Sequence, residues 1–267
     1  MERPIGVIDS GVGGLTVLHE LKRQLPKEQF IYLGDTLRCP YGSKGEEEVI
    51  QYTWEMVNYL MKFDIKMLVI ACNTATALVL EQLKQNLPIP VIGVIEPGAR
   101  AAIKATQSNH VAIIGTENTI HSQAYEHALI RIKPNIDTTA VACPKFVPLI
   151  ESGNFVLEEA KEIVEESLEF INHYPTIDTL ILGCTHYPII QSLIEEVVGP
   201  RVTVLSSAVE TGFEVSTLLT FYNLYHANTE EIHEPAIFTT GKLHVFQRLK
   251  EDIFQLKNAS LKHITLS

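Results

Sequence analysis

Two cysteines close apolar, strand-like runs in this chain: Met67-Leu68-Val69-Ile70-Ala71-Cys72-Asn73-Thr74 and Thr179-Leu180-Ile181-Leu182-Gly183-Cys184-Thr185-His186. In an open α/β sheet such a residue lies at the carboxyl end of its strand, where ligands bind. Thiols presented from two separate parts of the chain can face one small molecule from opposite sides. An unperturbed thiol pKa of about 8.5 is close enough to neutrality for either group to give or take a proton. The chemistry this pair suits is proton transfer between opposed acid and base. Each cysteine also precedes an expected helix, whose N-terminal amides and dipole favour a thiolate. His186, two residues past Cys184, is near enough to hydrogen-bond the thiol or a ligand. Asp9 ends the run Ile5-Gly6-Val7-Ile8-Asp9 at the position equivalent to the cysteines. It either caps the helix that follows or serves Cys72 as His186 would serve Cys184.

Other residues could line the same place. Ser10 and the turn Gly11-Val12-Gly13-Gly14 follow Asp9, and glycine lets backbone approach a ligand closely. The turn is not a dinucleotide fingerprint, because the third glycine of GxGxxG falls at Thr16; a GxxxxGK[ST] phosphate loop is absent too. Tyr41-Gly42 reads as an ordered turn able to clamp a ligand. Thr116 and Thr119 can donate hydroxyls or cap a helix. Cys39 and Cys143 read as core thiols. No Cys/His group has zinc-like spacing, and nothing calls for a metal.

The elements that must hold these residues alternate strand with helix, the pattern of mainly parallel sheets flanked by helices. Cys72 and Cys184 are 112 residues apart, and other strands recur at a similar offset. Ile5–Asp9 pairs with Val111–Gly115, Phe30–Gly34 with Thr138–Ala142, and 91–95 with 202–206. Four strands in one order, twice, read as an internal duplication. Helices are expected at 15–24, 46–62, 75–85 and 98–106, the last with Pro97 at its first position. In the second half they are expected at 121–132, 156–172 and 188–198. Beyond Glu210 two helices, 211–225 and 243–256, return to the first domain. The expected organisation is therefore one domain of 1–97 plus 210–267 and a second of 98–209. An active-site cleft lies between them.

Composition narrows the function further. With 267 residues and 46% apolar content the chain can build one or two cores. It has no apolar stretch of the roughly 20 residues that span a membrane, and its start leaves no room for a signal peptide. Four cysteines without CxxC pairing are expected to be reduced, in the cytoplasm. A net charge of −11 argues against nucleic acid and anionic membranes as partners. A small molecule is the expected partner.

Several of these segments together resemble the signatures of glutamate racemases, within the aspartate/glutamate racemase family. They are Ile5–Thr16, Gly34-Asp35 with Pro40-Tyr41-Gly42, Ala71–Ala75, Gly93–Gly98, Cys143-Pro144 with Phe146–Leu149, and Leu182–Pro188. The resemblance runs in order from residue 5 to about 190. It implies two similar α/β domains, commonly in a homodimer, and an enzyme that interconverts L- and D-glutamate without a cofactor, supplying D-glutamate for peptidoglycan. It places the paired catalytic cysteines on Cys72 and Cys184, the helper acid on Asp9 and the helper imidazole on His186. Substrate contacts fall on Ser10, Tyr41, Gly42, Asn73, Thr74 and Thr185, and on Thr116, Thr119 and Glu151. Asn118 stands where the family usually has a glycine. The N-terminal extension of members regulated by a cell-wall precursor is lacking, so that activation is not expected.

Without pyridoxal phosphate as an electron sink, a carbanion at Cα needs hydrogen bonds aimed at the substrate carboxylate. Asn73, Thr74, Thr185 and Ser10 are suitable donors. In the family pattern Cys72 acts on D-glutamate with Asp9, and Cys184 on L-glutamate with His186. Aspartate racemase is the nearest rival. A cysteine amidase using Cys184 and His186 would leave Cys72 unexplained, and an amino-acid sensor would bind in the same cleft without turnover. A Cys-x5-Arg phosphatase is excluded, since Leu78 and Ile190 occupy the sixth positions.

Overall fold

The computed structural model describes residues 2–153, 158–226, 232–243, 246–247, 250, 256 and 258–266. The first half of the chain runs β1 (Ile5–Asp9), α1 (Leu15–Gln24), β2 (Phe30–Gly34), α2 (Glu46–Met61), β3 (Met67–Ile70), α3 (Asn73–Asn86) and β4 (Val91–Gly93). The second runs α4 (Ile95–Ala105), β5 (His110–Gly115), α5 (Glu117–His121), α6 (Ala124–Ile132), β6 (Asp137–Ala142), α7 (Phe146–Ser152), α8 (Glu158–Leu168) and α9 (Phe170–His173). It continues through β7 (Thr179–Gly183), a 3₁₀ turn (Tyr187–Ile190), α10 (Gln191–Val198) and β8 (Thr203–Ser206). A returning segment adds α11 (Ala208–Phe221), β9 (Ala236–Thr239) and β10 (Ser260–His263).

Two all-parallel sheets result, in the orders β10-β9-β2-β1-β3-β4 and β6-β5-β7-β8. The central strands are apolar apart from end residues such as Asp9, His110 and Thr179, because helices cover both of their faces. On the first sheet, Leu15, Leu18 and Leu21 of α1 and Val215 and Leu219 of α11 pack over one face. Met56, Val57 and Leu60 of α2 with Val79 and Leu83 of α3 cover the other. The second sheet is clad in the same way.

The duplication extends to strand register. β2-β1-β3-β4 and β6-β5-β7-β8 are the same order, and Ile5 pairs with Phe30 and Met67 as Val111 pairs with Thr138 and Thr179. One correspondence shifts. Leu68 faces Val91 and the equivalent Leu180 faces Val204, so Val91 matches Val204 and not Val202.

Other expectations also move. β9 and β10 were not foreseen; they extend the first sheet from the free edge of β2, with Ile31 beside Ala236. Four-residue strands carry too little periodicity to register in a sequence. The returning helix is α11, starting at Ala208, and the expected helix 243–256 lies largely outside the described residues. α4 begins at Ile95, so Pro97 sits in its first turn, where a missing N–H costs nothing. The expected helix 121–132 is two, α5 and α6, broken at Gln123 with φ 54°. The expected 156–172 is α8 and α9, and its start falls on the undescribed residues 154–157. α7 was not foreseen.

Lys66 and Glu28 form a buried ion pair of 2.5 Å that anchors the return segment. Lys66 Nζ also donates to the Leu224 carbonyl, and Glu28 accepts from the His226 amide. Among the described residues no helix is long and apolar enough to cross a membrane.

Candidate active site

Cys72 and Cys184 follow the topologically equivalent strands β3 and β7, one from each sheet, and both line a narrow, nearly closed cavity between the halves. Ser10, Tyr41, Gly42, Asn73, Thr74, Thr116, Thr185 and His186 line it too. Asp9, Thr119 and Glu151 are not among its walls; each hydrogen-bonds a residue that is.

Asp9 lies fully buried below the cavity. Its Oδ2 accepts the amides of Gly11 and Gly14, both at 3.0 Å, and its Oδ1 accepts the Thr185 hydroxyl at 3.2 Å from the other half. Burial raises its pKa, against the opposing pull of the His186 charge and these hydrogen bonds. The glycine turn packs its backbone closely against these side chains. A Cβ on Gly13 would lie 2.4 Å from His186 Nδ1 and 2.6 Å from Thr185 Oγ1.

Cys72 is the N-cap of α3, accepting the Ala75 amide at 3.5 Å, and its thiol donates to Ser10 Oγ at 3.6 Å. A helix N-terminus favours a thiolate, yet burial and then the Asp9 charge push this thiol up to about 12. The expected thiolate is therefore a thiol in the free protein. Cys184 lacks the helix expected behind it, since the 3₁₀ turn intervenes before α10.

His186 sits between two partners. Its Nδ1 is 3.9 Å from Cys184 Sγ and its Nε2 3.2 Å from Glu151 Oε1. Burial would lower its pKa, but the bonds to Cys184 and Glu151, with the charges of Cys184 and Asp9, raise it to about 10. Glu151, on α7, moves the opposite way: burial would raise it, and the His186 contact holds it low. Glu151 thus orients the imidazole at the mouth of the cleft.

Tyr41 gives its hydroxyl to Asp35 at 2.5 Å, so its phenol is committed away from a ligand. Asn73 accepts the Tyr125 hydroxyl at 2.7 Å on Oδ1, while its buried Nδ2 has no partner among the described residues. An unmet buried donor costs about 1–3 kcal/mol, which a ligand acceptor would offset. Thr74, Thr116 and Thr119 share hydroxyl contacts of 2.9–3.3 Å across the two halves. Thr116 also caps α5, the helix-cap reading of it.

Three participants escaped sequence reasoning. Cys39, read as core, is half-buried at the cleft and donates to Glu151 Oε1 at 3.3 Å. Asn118 Nδ2 donates to the carbonyls of Tyr41 and Lys44 at 3.1 and 2.8 Å, clamping the Tyr41-Gly42 turn to the second half. Its departure from glycine was the available signal. Tyr125 had none. Cys143 is buried as read. Among the described residues, Cys39, Glu151 and His186 form a group whose donor atoms lie within 4.8 Å of one another, close enough to hold a metal ion.

Paired thiols at equivalent strand ends of duplicated parallel sheets, each with its own polar partner, thus face one cavity. The chain belongs to the Asp/Glu/Hydantoin racemase family, whose model matches residues 5–211. It is similar to the glutamate racemase of Oceanobacillus iheyensis, 56% identical over 256 residues that cover 96% of this chain and 93% of the relative. Among solved structures it resembles the glutamate racemase isoform RacE1 of Bacillus anthracis, with TM-score 0.94, 43% identity and coverage of 99% of this chain and 98% of that one. The glutamate racemase of Francisella tularensis, solved in complex with D-glutamate, matches at TM-score 0.88 and 32% identity, over 100% of this chain and 97% of its own.

Proposed function

We propose that this protein interconverts L- and D-glutamate by proton transfer at Cα between Cys72 and Cys184, without a cofactor. The observation that carries the reading is the orphaned Nδ2 of Asn73, buried in a cavity that both thiols line. The substrate carboxylate meets that donor, and Thr74, Thr185 and Ser10 add hydroxyls. The backbone of the Tyr41-Gly42 turn, not the phenol, faces the side-chain carboxylate.

From L-glutamate, Cys184 takes the Cα proton. The C–H bond breaks, and its electron pair flows into the carboxylate. Cys72, a thiol in the free protein, then gives its proton to the opposite face. His186, held by Glu151, relays protons at the Cys184 end, and Asp9, whose raised pKa suits it to accept one, does so at the Cys72 end. The reverse direction exchanges the roles of the thiols. The cysteine–histidine–carboxylate line Cys184–His186–Glu151 would also serve a thiol amidase, but that chemistry has no use for Cys72.

We further propose that residues 1–97 with 210–267 fold as one domain and 98–209 as the other. We place the protein in the cytoplasm as a homodimer, feeding D-glutamate to peptidoglycan. Exposed Phe213 and Phe221 of α11 support a covered face there.

The test is to incubate chelator-treated protein with L-glutamate in D₂O and follow optical rotation and deuterium at Cα. Loss of rotation with one deuterium entering per inversion is expected. Binding without exchange would overturn catalysis, a trapped thioester would mark an amidase, and preference for aspartate would reassign the substrate.

A further inference from the structure

The proton-transfer reading leaves Cys39 idle, although its thiol stands in the same cluster as Glu151 and His186. Cys39 Sγ to Glu151 Oε1 is 3.3 Å and His186 Nε2 to the same oxygen 3.2 Å, with all three donors within 4.8 Å of one another. Tetrahedral zinc, with Zn–S about 2.3 Å and Zn–N or Zn–O about 2.0 Å, sets its donors about 3.3–3.6 Å apart. Two of the three edges, at 3.3 and 3.2 Å, already come within a few tenths of an ångström of that length. One sulfur, one nitrogen and one carboxylate oxygen are a donor set that zinc accepts readily.

We propose that Cys39, Glu151 and His186 form a binding site for Zn²⁺ at the mouth of the cleft, with water as fourth ligand. The site is built from both halves. Cys39 comes from the turn after β2, Glu151 from α7 and His186 from the end of β7. Gly11 makes room for it, since a Cβ there would lie 2.9 Å from Cys39 Sγ and 3.7 Å from His186 Cε1. The His186 side chain is 2% exposed and that of Glu151 37%, so the group is walled on the protein side and open to water on the other.

Binding is coordination without redox change. The Cys39 thiol and His186 Nε2 each enter the zinc shell as the unprotonated donor, and any proton they carried passes to solvent. The bound ion ties the halves together and removes His186 from proton relay, so it inhibits. That consequence rests on the role proposed above for His186; the binding itself does not.

Cobalt(II) serves as the visible probe. Chelator-treated full-length protein titrated with CoCl₂ should show one site with a thiolate-to-cobalt charge-transfer band, displaced by Zn²⁺. X-ray absorption of the zinc form should show one sulfur at about 2.3 Å. Cys39→Ser should abolish the band and weaken zinc binding at least tenfold. Glu151→Gln, a change at a partly exposed side chain, should weaken it at least threefold. Zinc inhibition of racemisation, measured against each variant's own rate in chelator, should shift by the same factors. Two sulfurs in the zinc shell, or a band that survives Cys39→Ser, would place the ion on Cys72 and Cys184 and overturn the proposal. No binding at millimolar cobalt would overturn it as well.

Discussion

Replacing Asn73 by alanine separates what this residue does for the fold from what it does for a substrate. In the free protein its Oδ1 takes the Tyr125 hydroxyl at 2.7 Å while Nδ2 is buried without a partner. Asn73→Ala removes that unmet donor but takes its acceptor from the tyrosine hydroxyl, leaving it Ser207. These effects oppose one another, so stability should stay within about 1 kcal/mol of wild type. With substrate bound, the same change deletes a hydrogen bond to a carboxylate, worth about 1.5–3 kcal/mol. At 1.36 kcal/mol per factor of ten, that is a loss of roughly 10- to 150-fold in kcat/KM. The carboxylate gains charge as Cα loses its proton, so most of the loss should fall on kcat and not KM. Initial rates by circular dichroism from each enantiomer would measure it. Both directions must fall by the same factor, because the ratio of forward to reverse kcat/KM is the equilibrium constant, which no mutation changes. Tyr125→Phe, which frees the amide to rotate but keeps it, should cost less. A folded Asn73→Ala enzyme within threefold of the wild-type rate would refute the assignment of this amide to the substrate carboxylate.

Cys72→Ala and Cys184→Ala should each abolish racemisation with the fold intact, whereas Cys143→Ala should leave most of the rate. In D₂O the variant that keeps Cys184 should still exchange Cα of L-glutamate, and the one that keeps Cys72 that of D-glutamate, as mass spectrometry would show. His186, raised to about 10 in the fold against about 6.5 unfolded, should contribute stability that is complete below pH 6.5 and lost as pH rises through 10. Urea unfolding of wild type and His186→Asn should therefore converge between those limits; a constant gap would contradict the raised value. Lys66→Met leaves Glu28 buried without its cation and should cost about 3–5 kcal/mol. The pair replacement with Glu28→Leu should recover part of it, as thermal melts would register.

Much of the design is local and therefore readable from the chain. Apolar four- and five-residue runs declare the strands that both sheets bury, and their recurrence declares the duplication. Because a parallel strand delivers its C-terminal residue to the sheet's ligand edge, Asp9, Cys72, Cys184 and His186 could be named from where their strands end. The rest depended on contacts between segments far apart in sequence. β9 exists because β2 has a free edge to pair with, and β10 because β9 then offers one, not because their own four residues demand a strand. Cys39 looks like any buried thiol until the turn carrying it meets α7. Glu151 likewise becomes the orienting partner of His186, and not a wall of the cavity, only when the two halves close. The protonation of Cys72 is the sharpest case. Its place at a helix N-terminus predicts a thiolate, but the local dipole is outweighed by burial and by the carboxylate of Asp9, 63 residues away along the chain. Strand ends follow from short-range pattern. Charge states and partners follow from what packs around them.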